Sequence, residues 1–233
     1  MKVGVIQSNY IPWRGYFDFI NSVDTFVIYD DVQFSKGSWR NRNKLKYNHD
    51  TKWITVPIKV NLGMKINEVK INHLKDWRKE HRDMLQMSLG KAPHFAEALQ
   101  VWEEGVGITT EYLTELNENM TKTICRYLGI QTQFSRSENY ELVGTKTDRL
   151  MDLFQKIGCT SYLSGPAADD YLEFDQFQKN NISLKYKSYD YDPYPQHDDA
   201  PFIGGVSILD LIAHTGKEAI NHCKSKTADK LVV

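Results

Sequence analysis

The sequence predicts an α/β protein, an open and mostly parallel sheet with a helical insertion in the middle of the chain. Three observations carry that expectation. Strand, loop, helix and strand follow one another within the first 31 residues, a βαβ unit whose strands must run parallel. The last 90 residues alternate helix and strand in the same way. Between them, residues from about 75 to 130 read almost wholly as helix, and we assign all 233 residues to one domain.

Each element has a local reason. Residues 2–6 are a short apolar strand, broken by Pro12 and Gly15 before a short helix over 16–20. Residues 25–29 are β-branched and aromatic, a second strand that stops at Asp30-Asp31. The stretch 34–50 is polar and basic. Residues 52–60 alternate, Pro57 suggests an edge, and a weaker strand over 65–71 pairs with them across Asn61-Leu62-Gly63. A helix over 75–88 places Trp77, Met84, Leu85 and Leu89 in the core and breaks at Gly90 and Pro93. A short helix over 94–104 follows. Thr109 or Thr110 caps a long one whose stripe is Leu113, Leu116, Met120, Ile124 and Leu128, closed by Gly129. Residues 147–157 form another helix, ended by Gly158. Strands over 160–164 and 182–186, then helices over 207–215 and 217–223, complete the chain.

Composition narrows the function classes. Lys and Arg number 29 against 30 Asp and Glu, for a net charge of −1, so no whole-surface attraction draws the protein to nucleic acid or an anionic membrane. The five Trp, thirteen Tyr and ten Phe exceed the needs of an average core, so some should line a pocket. Cys125, Cys159 and Cys223 are odd in number, far apart and not in CxxC pairs, a pattern of buried thiols in a reducing compartment. No apolar run approaches a membrane span, and residues 3–6 are too short for a signal-peptide core. The expectation is a cytoplasmic, soluble protein.

Five constellations carry possible chemistry. Gln7 to Phe17 places Gln7, Tyr10, Trp13, Gly15 and Tyr16 where an open sheet binds ligands, at the carboxyl end of a strand. Tyr29-Asp30-Asp31-Val32-Gln33 ends the neighbouring strand; one acid can face the pocket, as a general base or a hydroxyl-orienting group, while the other caps. In Lys36 to Lys44, basic side chains (Arg40, Arg42) interleave with Trp39, Asn41 and Asn43, a pattern that grips a pyrophosphate or tracks a single nucleic-acid strand. Gly165 and Tyr171 lie on a small-residue turn after a strand. Tyr194, Gln196 and His197 stand beside acids in the last loop, His197 with Asp198 as an acid/base pair. A plain turn or solvated face remains open for each. No calcium-loop, HExxH, GxSxG, P-loop or GxGxxG pattern occurs, and no metal site is expected.

At these residues the chain resembles the WbqC-like family through nearly its whole length. The likeness runs through Tyr-x-Pro-Trp-x-Gly-Tyr-Phe at 10–17, Tyr-Asp-Asp-Val-Gln at 29–33 and Trp-Arg-Asn-Arg-Asn at 39–43. It continues in Trp53 to Pro57, the turn from Leu163 to Tyr171, and Tyr194-Pro195-Gln196 before Ser207-Ile208-Leu209-Asp210. Ser8 departs from it, where a Pro usually follows the Gln. The resemblance implies a setting of surface-polysaccharide and O-antigen (lipopolysaccharide) biosynthesis and a transferase moving an aminoacyl or acyl group onto a nucleotide-linked amino sugar. A carrier-bound acyl thioester would be the donor; no other cofactor, nucleic acid or membrane partner is implied. Asp31, Asp30 or His197 would take the amine's proton, Arg40 and Arg42 would hold the pyrophosphate, and Trp13 or Trp39 would stack on a ring.

Residues 9–16 are also similar to the strand-end loop of HIGH-motif nucleotidyltransferases, which suggests a nucleotidyltransferase or HUP-like sheet. Arg14 and Tyr16 stand where the histidines of such loops would be. A Mg-dependent nucleotidyltransferase with Asp30 or Asp31 on the metal is the alternative, and a nucleic-acid binder built on 36–47 a further one.

Overall fold

Val3 and Val5 point to one side of the first strand and Gly4 and Ile6 to the other, so both faces of that strand need cover. The computed structural model describes residues 1–168, 172–196 and 200–233, and in it helices lie on both faces. The chain runs β1 (Lys2–Ile6), α1 (Arg14–Asn21) and β2 (Thr25–Ile28), then the hairpin β3 (Arg42–Tyr47) and β4 (Asp50–Thr55). The short strands β5 (Ile58–Lys59) and β6 (Lys70–Ile71) precede three helices, α2 (Trp77–Leu89), α3 (Phe95–Val106) and α4 (Leu113–Leu128). β7 (Gln133–Arg136), α5 (Lys146–Ile157), β8 (Ser161–Ser164), α6 (Phe174–Lys179) and β9 (Ser183–Tyr186) follow, then α7 (Ile208–Thr215) and β10 (Lys230–Leu231).

The central sheet has six strands in the order β10-β9-β8-β1-β2-β7. Five run parallel and β10 alone is antiparallel to its neighbour. Alternation divides the core. Phe26 and Ile28 face the cluster built by α1, α2, α3, α4 and α7, while Val27 faces the one built by α5 and α6. The three middle helices therefore share a core with the sheet: Trp77, Trp102 and Met120 belong to the same buried cluster as Phe17 and Phe26.

Three expectations need correction. Residues 42–47, read as part of a polar loop, form β3 because β4 pairs with them residue for residue, and Asn43, Leu45 and Ile54 are buried there. The hairpin expected across Asn61-Leu62-Gly63 survives only as Ile58 opposite Ile71 and Lys59 opposite Lys70. Neither Thr109 nor Thr110 caps α4; its N-cap is Tyr112, without a side-chain cap bond. Gly129 and Gly158 do end α4 and α5 in the left-handed region, at φ 75° and 72°.

Candidate functional site

The strand order has a reversal that places a crevice. From β1 the chain moves one way, to β2 and then β7; from β7 it crosses back to β8 on the other side of β1. Ligands of open parallel sheets bind outside the carboxyl ends at such a switch point. A cleft of 890 Å³ lies there, lined by Gln7 after β1, by Tyr29, Asp31 and Gln33 after β2, and by Ser164 and Gly165 after β8. Its far wall is the start of α5, with Gly144, Thr145, Lys146 and Arg149, and Lys65 completes the rim.

Electrostatically the cleft is positive. Lys65, Lys146 and Arg149 face one acid, Asp31. Asp31 bridges the cleft: its Oδ2 accepts from Arg149 and its Oδ1 from Ser137 at 2.6 Å. Arg149 also donates to the Leu142 carbonyl at 2.9 Å, so the guanidinium is fixed on two sides. Lys65 and Lys146 are exposed. The N-cap residue Thr145 makes no side-chain cap bond, which leaves first-turn amides of α5 to solvent or ligand, and the helix dipole favours an anion there.

Asp30 faces the other way. It is 2% exposed, accepts from the Ser8 N–H at 2.8 Å and the Thr114 hydroxyl at 2.5 Å, and burial pushes its carboxyl up from the usual range. Arg40, assigned above to a pyrophosphate, joins this bracket instead by donating to the Ser8 carbonyl at 3.1 Å. Asn117 closes it with bonds to Ser8 Oγ and the Arg40 carbonyl. The Pro expected at position 8 could not donate the N–H that Ser8 gives to Asp30. Asp30 and Asp31 thus diverge and do not converge on a common point for a metal. Among the described residues no three His, Cys, Asp or Glu side chains cluster as metal ligands.

The other sequence-predicted residues separate into structural and open groups. Tyr10 is wholly buried, its hydroxyl shared with His81 Nδ1 and Trp102 Nε1, each at 2.9 Å. Asn41 exchanges bonds with Val56, and Asn43 Nδ2 donates to the Tyr10 and Ile11 carbonyls. Asn43 thereby holds a strained turn, since β-branched Ile11 sits at φ 37°. Tyr16 is buried and its hydroxyl donates to the Gln7 carbonyl at 3.2 Å. Arg42 donates to the Gly37 carbonyl and stacks over Trp53 at 4.0 Å, away from the cleft. Tyr194 and Gln196 both donate to Asp210 in a separate cluster that cages Arg14. Trp13 and Trp39 line a second, smaller cavity. Tyr171 and His197 lie outside the described residues, as do Asp169, Asp170, Asp198 and Asp199.

A model of the WbqC-like protein family matches residues 7–222. The chain belongs to the WbqC-like family. It is also 41% identical, over 229 residues, to the uncharacterized protein Rv1507c of Mycobacterium tuberculosis, covering 96% of this chain and 97% of that protein. No solved structure matches. The WbqC-like match takes in Gln7, Asp31, Arg149 and Gly165, that is, contributions from every wall of the sheet-edge cleft.

Lys65, Ser137, Gly144, Thr145, Lys146 and Arg149 were not singled out by sequence reasoning. A signal was present in Gly144-Thr145, directly ahead of a helix expected from 147 and thus at a helix N-terminus. What hid its meaning was β7, unread, whose position sends the chain back across β1 into α5. No helix of the described residues is long and apolar enough to cross a membrane.

Proposed function

We propose that this WbqC-like protein is a transferase of surface-polysaccharide biosynthesis that moves an acyl or aminoacyl group onto the amine of a nucleotide-linked amino sugar. The observation that carries the reading is the switch-point cleft with three cations, one acid and an uncapped helix start. A pyrophosphate suits the α5 amides with Lys146 and Lys65. This moves the phosphate role from Arg40 and Arg42, which bond the carbonyls of Ser8 and Gly37 and do not line the cleft.

Asp31 keeps free lone pairs on both oxygens after serving Ser137 and Arg149, so it accepts a hydrogen bond from the substrate's amine or a neighbouring hydroxyl. The amine's lone pair attacks the thioester carbonyl, a C–N bond forms and the C–S bond breaks. The proton released by nitrogen ends on the departing thiol. Gln7, Tyr29 and Gln33 supply further polar contacts within the cleft. Mass spectrometry tests the reading directly. Incubated with a nucleotide amino sugar and an acyl-thioester donor, the wild-type protein should yield the N-acyl sugar nucleotide, and Asp31→Ala should slow this by at least tenfold. Absence of transfer from every thioester and aminoacyl donor, with the sugar nucleotide bound, would overturn it.

A further inference from the structure

Beside the loop after β1 lies a second cavity, of 370 Å³, lined by Asn9, Pro12, Trp13, Trp39, Asn43 and Gly205. None of these six side chains carries a charge, in contrast to the four charged groups of the sheet-edge cleft. Its volume is near the bottom of the roughly 300–1,000 Å³ range of small-molecule sites, enough for one ring and too little for a whole sugar nucleotide.

Two walls are indoles, each braced from behind. Trp13 packs against Tyr189 and Tyr191 at 5.3 and 5.9 Å between ring centroids. A Cβ on residue 15 would stand 2.3 Å from its ring, so only Gly15 lets the indole lie over the first turn of α1. Trp39 is 44% exposed and leans on Trp53 at 5.2 Å, with the Arg42 guanidinium on the Trp53 ring. The Tyr10 N–H donates to the Trp39 carbonyl at 3.1 Å, which ties this wall to the loop.

The polar groups differ in what they have left to offer. Asn43 is saturated: its Nδ2 holds two carbonyls and its Oδ1 accepts from the Lys44 N–H. Asn9 Oδ1 is buried and has no hydrogen-bond partner among the described residues. A buried acceptor without a donor is rare in folded proteins, and the residue that carries this one lines the cup.

We propose that this cup binds a single unphosphorylated pyranose ring. The weakly positive C–H face of the sugar lies against an electron-rich indole face, and a hydroxyl or amide N–H of the ring donates to Asn9 Oδ1. Absence of charge excludes the phosphates from the cup and assigns them to the cleft. Gln7, which lines the cleft, and Asn9, which lines the cup, are at most about 7 Å apart along the chain. Naming the ring as the acceptor sugar rests on the proposed function; the binding of a ring does not.

Saturation-transfer NMR with free N-acetylglucosamine on the full chain tests this. Transfer from the wild type at millimolar sugar is expected. Asn9→Ala and Trp39→Ala should weaken binding at least tenfold, Trp39→Phe by less than threefold, and Lys146→Ala not at all. Thermal melts confirm that each variant is folded, and Asn9→Ala decides the matter if Trp39→Ala is not. No transfer from the wild type at tens of millimolar, undiminished binding by folded Asn9→Ala, or displacement of the sugar by submillimolar uridine or thymidine would overturn the proposal. Free sugar bound in the cup by a protein that binds no sugar nucleotide would remove the proposed function and leave this site standing. Sugar nucleotides bound through Lys146, with no free sugar bound, would do the reverse.

Discussion

Asp30 and Asp31 are neighbours in sequence and opposites in setting. Asp30 sits in a bracket whose every member is a protein group: Ser8, Thr114, Arg40 and Asn117. Asp31 stands at an open edge with exposed Lys65 and Lys146 on the same cleft. The difference teaches that a polar residue type says little about role until its partners are known. A buried network of protein groups specifies the loop, and an open cluster is left for a ligand.

The comparison is broken most severely by removing Asp30. Asp30→Ala orphans the buried Ser8 N–H and Thr114 hydroxyl and removes a negative charge near the half-buried Arg40 guanidinium. Urea unfolding should show a loss of about 3 kcal/mol or more. Asp31→Ala, on the cleft, should cost roughly 1 kcal/mol while slowing the proposed transfer at least tenfold.

The buried network at Tyr10 sets the next effect. His81 is 2% exposed, and burial lowers its imidazole to about 4 from the usual 6.5. The unfolded chain therefore binds a proton that the folded protein refuses over pH 4 to 6.5, and stability falls as pH drops through that window. The contribution reaches about 3 kcal/mol by pH 4. Denaturant midpoints measured from pH 7 to 4 should show this slope, and His81→Gln should flatten it.

Smaller effects sharpen the open side. Lys146→Ala and Lys65→Ala should change stability by less than about 0.5 kcal/mol and weaken a sugar nucleotide several-fold by calorimetry. The thiols should give almost none. Burial raises Cys125 and Cys223 to about 12 and Cys159 to about 11, so a thiol reagent at neutral pH should label none in the folded protein and all after denaturation.

Much of the fold was legible because local pattern and tertiary setting agree. The apolar run of β1, the β-branched run of β2, the stripe of α4 and the glycine stops after α4 and α5 each announce themselves. Strands β3, β7 and β10 did not. β7 is Gln-Phe-Ser-Arg, with no alternation strong enough to read, and exists because β2 offers a ladder. β3 is basic and becomes a strand only opposite β4, with Arg42 against Thr55 and Lys44 against Trp53.

The site was legible in the same measure. Gln7 and Asp31 follow strands that were read, and both line the cleft. Arg40 and Arg42 looked like phosphate ligands because charge was visible and hydrogen-bond partners were not. Lys146 and Arg149 escaped because their relevance depends on the crossover from β7 to β8, a property of topology.

The central claim is that phosphate binds at the start of α5 and not on the basic segment 36–44. Isothermal titration of a uridine or thymidine diphosphate amino sugar into the wild type, Lys146→Ala and Arg42→Ala compares the two directly. The account predicts at least fivefold weaker binding to Lys146→Ala and wild-type affinity for Arg42→Ala. Loss of binding in Arg42→Ala with wild-type affinity in Lys146→Ala would contradict it.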